Sequence, residues 1–359
     1  MCKRLPIDTF CEKKISTLQK TYNGLIDYVD ISSVDNAEKR IVSFQTIEAQ
    51  NAPSRAKQLL NNGDIIVSTV RPNLNAVAIV EEETDNLMVG STGYCVLRCK
   101  DTMDARYLFN FCQSQYFIDD MTSQATGASY PAVSSSIVKN SLIPVCSLEE
   151  QRKIAKRIDT VSELIDLRQQ QLKQLDELVK SRFIELFGDP LLNQRGWRKA
   201  ALEANATLLN GRAYKQDELL NSGKYPVLRV GNFFSNRGWY YSDLELDDDK
   251  YCDNGDLLYA WSASFGPQIW NGGKVIYHYH IWKVLVGEAY NKQFLCKLLE
   301  YATESLMGDT HGIAMMHLTK SGVEKTEFIV PPIELQEQFA TFVEQTDKLK
   351  YCGELEVAA

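Results

Sequence analysis

Leu148-Glu149-Glu150-Gln151 leads into Ile154-Ala155 and Ile158, and 185 residues later Ile333-Glu334-Leu335-Gln336 leads into Phe339-Ala340 and Val343. Upstream of each stands the same tripeptide: Asn62-Gly63-Asp64 before Ile65-Ile66-Val67, and Asn254-Gly255-Asp256 before Leu257-Leu258-Tyr259. A turn, an apolar strand and a helix start that recur in fixed order make the chain a duplicated unit. The repeat is a globular block followed by a helix, used twice.

The helix after the first block has a heptad seam: Ile154, Ile158, Val161, Ile165, Leu172, Leu175, Val179 and Leu186, with Arg168 and Arg182 at two turns of the same 4,3 spacing. Forty such residues extend about 60 Å, too long for one small core, and Gly188-Asp189-Pro190 stops them. A lone amphipathic helix of this length needs a partner for its seam. The second copy supplies one, with Leu335, Phe339, Phe342, Thr346 and Leu349, and a chain that turns back between them packs the pair antiparallel. That second helix is expected to be short, about 18 residues or ~27 Å, because Gly353 interrupts the residues beyond Lys350.

The two helix entries, together with Arg182-Phe183 and Glu185-Leu186-Phe187-Gly188-Asp189-Pro190, resemble the specificity subunit of type I restriction-modification systems over nearly the whole chain. The resemblance implies two target recognition domains at opposite ends of an antiparallel helical pair. In that family the pair fixes the distance between two DNA half-sites, and methyltransferase subunits dock on or near it. The expected fold class is mixed α+β: a recognition domain over 1–146, a spacer helix over 147–188, a second recognition domain over 189–331 and a shortened helix over 332–359, the helices forming a coiled-coil spacer.

Each block mixes strands with a helix. Block one shows Asp64–Ser68, Tyr94–Arg98 and a helical stretch near Tyr107–Met121; block two shows Asp256–Tyr259, a strand over Lys274–Val286 and a helix near Lys292–Met307. After each helix comes a polar loop with glycine, Gln124–Tyr130 and Asp309–Met315, whose Gly127 and Gly312 share the 185-residue offset. Glycine permits close approach to a backbone, and Thr126, Ser129, Tyr130 and His311 bring hydrogen-bonding groups. Arg71 before Pro72-Asn73, and Arg229 before Val230-Gly231-Asn232, stand at strand ends. Arginine can grip guanine and asparagine adenine with paired hydrogen bonds, so Arg71, Asn73, Arg229 and Asn232 are candidate DNA contacts, alongside Arg212 and Tyr214. Structural ion pairs are the competing use for the arginines.

A net charge of -8 argues against a simple basic DNA-coating protein, although residues 191–240 carry eight basic against three acidic side chains and 241–260 seven acidic against one basic. Such segregation is either a positive face on an acidic protein or a pair of ordinary solvated faces. No apolar run at the N-terminus has the form of a signal peptide, and none reaches the roughly 18 residues of a membrane span. A cytoplasmic protein is expected, with its nine scattered cysteines reduced. His278 and His280 fall on one face of an aromatic strand, without the further ligands a metal needs.

No GxxxxGK[ST], no GxGxxG and no Asn/Asp-Pro-Pro-Tyr/Phe tetrapeptide occurs, so ATP hydrolysis or methyl transfer by this chain is disfavoured. Asp247-Asp248-Asp249-Lys250 has the residue types of a metal-dependent nuclease in a run that otherwise forms a solvated turn. The expectation is a non-catalytic subunit that binds double-stranded DNA, methyltransferase subunits and restriction/translocase subunits. By the resemblance, S-adenosylmethionine, ATP and Mg belong to those partners, with no cofactor or metal on this chain. The alternatives are an independent metal-dependent nuclease, or a truncated, non-productive copy.

Overall fold

The computed structural model describes residues 3–81, 84–235, 238–262, 264–308 and 319–358, with only the backbone described for 304–308 and 351–358. The chain divides into two compact units, Met1–Ile165 and Asp166–Ala359. The first contains β1 (Arg4–Pro6), β2 (Leu25–Val29), β3 (Val34–Asp35), β4 (Arg40–Ile41), β5 (Gln45–Glu48), β6 (Ala56–Leu59), β7 (Ile65–Ser68), β8 (Val77–Ile79), β9 (Leu87–Ser91) and β10 (Tyr94–Leu97). Next come α1 (Ala105–Gln113), α2 (Gln115–Ser123), α3 (Ser135–Asn140), β11 (Leu142–Pro144) and the start of α4 (Leu148–Phe187). The second contains the rest of α4, then β12 (Lys199–Ala201), β13 (Ala206–Asn210), β14 (Tyr225–Leu228), α5 (Val230–Ser235), β15 (Tyr240–Ser242) and β16 (Tyr251–Cys252). It is completed by β17 (Leu257–Ser262), β18 (Ser264–Ile269), β19 (Val275–Tyr277), β20 (Ile281–Val286), α6 (Lys292–Gly308), α7 (Lys320–Lys325), β21 (Glu327–Ile329) and α8 (Ile333–Ala358).

The two units share a common topology, to which the first adds the hairpin β3–β4 and the second the strand β13. In the first, a sheet ordered β5-β2-β9-β6, with β2 and β9 parallel, accompanies an antiparallel sheet β10-β7-β8 and the pair β1–β11. In the second, β15-β14-β19-β16, with β14 and β19 parallel, accompanies β13-β20-β17-β18 and the pair β12–β21. Each inner sheet is covered on both faces. Ile65 and Val67 point into the core formed with α1–α3, while Ile66 points into the core shared with β2 and β9. Leu257 and Tyr259 pack with α6 and α8, and Leu258 and Ala260 with β14 and β19. Burial on two faces explains why both strands read as continuous apolar runs rather than alternating ones.

The repeated Asn-Gly-Asp sequence builds one turn in each unit. Gly63 and Gly255 both lie at φ +86°, where a side chain is strained. Asp64 Oδ2 accepts the Asn61 amide and Asp256 Oδ2 the Asp253 amide, at 2.8 and 2.9 Å. A basic side chain from the neighbouring strand region closes each turn: Arg98 donates twice to Asp64, both bonds 2.8 Å, and Lys283 reaches Asp256 at 2.7 Å.

The repeated helix entry has an equally specific cause. Gln151 is buried, accepting the Asp104 amide and donating to the carbonyls of Thr102 and Cys146. Gln336 is buried likewise, accepting the Asn291 amide and donating to Ala289 and Pro331. Asp104 and Asn291 in turn accept amides from the first turns of α1 and α6. Each glutamine thus locks a long helix to the start of a domain helix.

Several expectations are corrected. The Tyr107–Met121 stretch is two helices broken at Ser114, which caps the second. Lys274–Val286 is two strands, with His278, Tyr279 and His280 between them. The second long helix is 26 residues and passes through Gly353, so it is not the 18-residue element expected. Its buried track is Gln336, Phe339, Val343 and Thr346; Leu335 and Phe342 are half-buried and Leu349 is 60% exposed. In α4, Val179, Phe183 and Phe187 are the buried anchors, and Leu186 is only half-buried. Arg182 lies over the Phe342 ring at 5.9 Å. Phe339 meets Phe183 and Phe187 at 5.4 and 5.8 Å, and Lys350 bonds Asp176 at 2.6 Å, so the two helices run antiparallel within the second unit. Upstream, Ile154 packs on the first core, Ile165, Leu172 and Leu175 are half-buried, and Ile158 and Val161 are exposed.

Candidate nucleic-acid interface

In the first unit, β7 runs into a tight turn at Pro72–Leu74, flanked by Arg71 at φ +50° and Asn75 at φ +49°. Left-handed backbone at a non-glycine residue costs about 1 kcal/mol or more and persists only where its surroundings enforce it. Here Asn75 is buried, donates to Cys112 O at 2.9 Å and receives Lys39 Nζ, while the Arg71 amide donates to Pro131 O at 2.7 Å. That last bond ties the turn to the glycine loop. Thr126 and Ala132 exchange two backbone bonds, closing the loop around Gly127, and Ala132 pairs with Val70. Gly127, at φ +104°, could not carry a Cβ, which would lie 2.8 Å from Tyr130 O.

The result is one exposed surface made of Arg71, Asn73, Thr126, Ser129 and Tyr130, five candidates from two short segments of the sequence, 71–73 and 126–130. Tyr130 is 69% exposed, and the Arg71 guanidinium lies over its ring at 4.9 Å. No carboxylate pairs with Arg71 among the described residues. A stacked, uncompensated guanidinium keeps its donor fork and its charge for a phosphate or a base edge.

In the second unit, Arg229 follows β14 directly and lies over Tyr240 at 5.2 Å, exposed and without a carboxylate partner among the described residues. Two neighbouring candidates have partners within the chain. Arg212 forms a two-pronged pair with Glu218, at 2.8 and 2.7 Å, which neutralises it; that hydrogen bond and the Lys215 amide hold the Glu218 carboxyl down to about 2. Asn232 is 8% exposed, its carbonyl accepting the Arg229 amide and its NH2 donating to Gly238 O, so it shapes the turn rather than presenting an edge to adenine. Tyr214 is half-buried beneath Arg212, 5.2 Å away. His311 and the rest of Asp309–Met315 lie outside the described residues.

The turn between β19 and β20 holds an aromatic cluster that was not among the expected contacts. His278, Tyr279 and His280 cluster with ring centroids 3.9 to 4.8 Å apart, and Trp261 at the end of β17 meets His280 at 5.1 Å. Burial, then His280 and Arg229, push the His278 imidazole down to about 4, so it is neutral near pH 7. The consecutive His278, Tyr279 and His280 were the available signal, but reading one continuous strand through them concealed the turn.

Asp247-Asp248-Asp249-Lys250 is a surface turn in which Lys250 donates to Asp249 and to Asn210 O. Among the described residues no three His, Cys, Asp or Glu side chains converge as metal ligands, and no helix is long and apolar enough to cross a membrane.

The type I restriction modification DNA specificity domain model matches this chain twice, over residues 7–177 and 195–354. The MjaIX specificity subunit of Methanocaldococcus jannaschii is 22% identical, covering 91% of this chain and 81% of the relative. The EcoBI specificity subunit of Escherichia coli is 24% identical over 43% of this chain. The chain spans only 29%, 34% and 37% of the MjaVIII, EcoBI and HindI subunits. Among solved structures, a chain from a type I R-M system described for its complex assembly and conformational transition is similar, at TM-score 0.61, 24% identity and coverage of 99% of this chain and 93% of that one. The S subunit from M. genitalium is similar at TM-score 0.60, 15% identity and coverage of 100% and 92%. At these identities the likeness concerns the fold.

Proposed function

Because this chain belongs to the type I restriction modification DNA specificity family, we propose that it is the non-catalytic subunit that chooses the DNA sequence for a restriction-modification complex. Each unit reads one half of a bipartite double-stranded target, and the α4 and α8 segments set the gap and dock methyltransferase subunits. S-adenosylmethionine-dependent adenine methylation, and ATP- and Mg-dependent translocation and cleavage, then belong to partner subunits. The observation that carries the reading is the surface of Arg71, Asn73, Thr126, Ser129 and Tyr130. There a left-handed arginine is enforced by two segments, stacked on a tyrosine and without a carboxylate partner among the described residues. Such a group suits the phosphate and base-edge contacts of DNA recognition.

Co-expression with the neighbouring methyltransferase subunit, followed by single-molecule sequencing for methyladenine, tests the proposal. A new motif of two defined half-sites around a fixed unspecified gap is expected. A continuous motif, or a stable complex that methylates nothing, would overturn it.

A further inference from the structure

The duplicated topology allows positions in the two units to be equated by shared backbone bonds. Ile65 pairs with Leu97 as Leu257 pairs with Val284, and the Thr69 amide donates to Gly93 O as the Trp261 amide donates to His280 O, at 2.9 and 3.0 Å. Thr69 is therefore the counterpart of Trp261, and Gly93 the counterpart of His280. The edge that in the first unit leads directly into Arg71 has small residues at these places: Ser91, Thr92 and Gly93 join β9 to β10. In the second unit the same edge has His278, Tyr279 and His280, with Trp261 beside them.

That substitution is built, not incidental. Trp261 Nε1 donates to Tyr279 O at 2.8 Å, where Thr69 Oγ1 bonds Gly93 O in the first unit. The Tyr279 amide donates to Arg212 O, the Arg212 amide to Tyr277 O, and the Trp261 ring stacks on Trp282 at 5.7 Å. The turn is thus fixed from both sides, with Tyr279 38% exposed at its tip and the cationic Arg229 near His278. A rigid tip combining a phenol and imidazoles offers donors, acceptors and flat apolar surface together.

We infer that the His278-Tyr279-His280 turn, backed by Trp261, contacts the base edges of one DNA half-site, so that the two units discriminate bases with different chemistry at the same edge of one fold. This rests on the DNA-reading role proposed above. Duplex DNA, rather than a protein, is the occupant because the edge equates with the Arg71 surface of the first unit, and because Arg229 supplies positive charge there.

The test uses the full chain assembled with its methyltransferase subunit, and duplexes in which each base pair of the recognised sequence is changed singly. Tyr279→Ala and His280→Ala are expected to reduce discrimination about tenfold or more at one or two positions of a single half-site. The other half-site stays as selective as before. Should either variant assemble poorly, Tyr279→Phe and His280→Gln, which keep most of the side-chain volume, decide the matter in the same assay. Unchanged discrimination at every position overturns the inference, as does an affinity loss uniform across sequences, or loss of methyltransferase assembly by properly folded variants. A wild-type complex with no split motif overturns the DNA-reading role itself and this inference with it.

Discussion

Gln151 and Gln336 each satisfy three backbone groups that burial would otherwise leave unpaired. An unsatisfied buried polar group costs about 1–3 kcal/mol, so Gln151→Ala and Gln336→Ala are each expected to destabilise the protein by about 3 kcal/mol. Urea unfolding of each variant checks this, and a loss below about 1 kcal/mol would remove the clamp as the reason these residues recur. His278 gives a pH dependence of known sign. Its folded value of about 4 lies below the ordinary 6.5, so the unfolded chain takes up the proton first as pH falls. Stability is full above pH 6.5 and is lost progressively toward pH 4. His280, Arg229, Tyr214 and Tyr279 face the ring, and protonation adds a charge beside one fixed cation. His278→Phe is expected to lose less stability than wild type between pH 7.5 and 4.5 in urea midpoints; equal losses in both proteins would contradict the assignment.

Among the elements, α4 is anchored at its end by Phe183, fully buried and packed on Phe187, Phe294, Tyr301 and Phe339. Phe183→Ala is expected to cost about 3–5 kcal/mol. Val161 and Leu164 are 55% and 60% exposed, so Val161→Glu with Leu164→Glu should change stability by about 0.5 kcal/mol or less. Under the proposed docking role the pair should nevertheless abolish co-purification with the methyltransferase, and normal assembly of the folded double variant would count against docking there. The heptad pattern revealed that α4 is long and needs a partner. It misjudged the face, because Arg182 was placed on a seam that Phe183 and Phe187 occupy, and Leu349 on a track that Thr346 and Val343 define. Apolar spacing fixes a period, but which of two adjacent stripes of α4 is covered depends on the aromatic residues of α6, which lie more than a hundred positions away in sequence.

At the scale of the molecule, duplication was legible because it rests on local geometry: a glycine at φ +86° with a capping aspartate, and a buried glutamine at a helix entry, each demand one residue type twice. The candidate interface was legible only in part. Arg71, Asn73, Thr126, Ser129 and Tyr130 converge because loops from distant segments share backbone bonds, whereas Arg212 and Asn232 turned inward because Glu218 and the Arg229 turn lay within reach. The chain as a whole carries a net charge of -8, and at the proposed DNA surfaces Arg71 and Arg229 lie over tyrosine rings with no carboxylate partner among the described residues. Duplex affinity falls with salt roughly in proportion to the phosphates neutralised, with a slope near -0.9 per contact. Phosphate contacts made by Arg71 and Arg229 alone predict a shallow slope, about -2, for this chain by itself, and a steeper one once basic partner surfaces join it. Fluorescence anisotropy between 50 and 200 mM salt reads this directly, and Arg71→Gln with Arg229→Gln should flatten the slope of the isolated chain toward zero. A slope near -6 for the chain alone would mean that it carries most phosphate contacts itself, and that the acidic balance lies away from the DNA rather than being offset by partners.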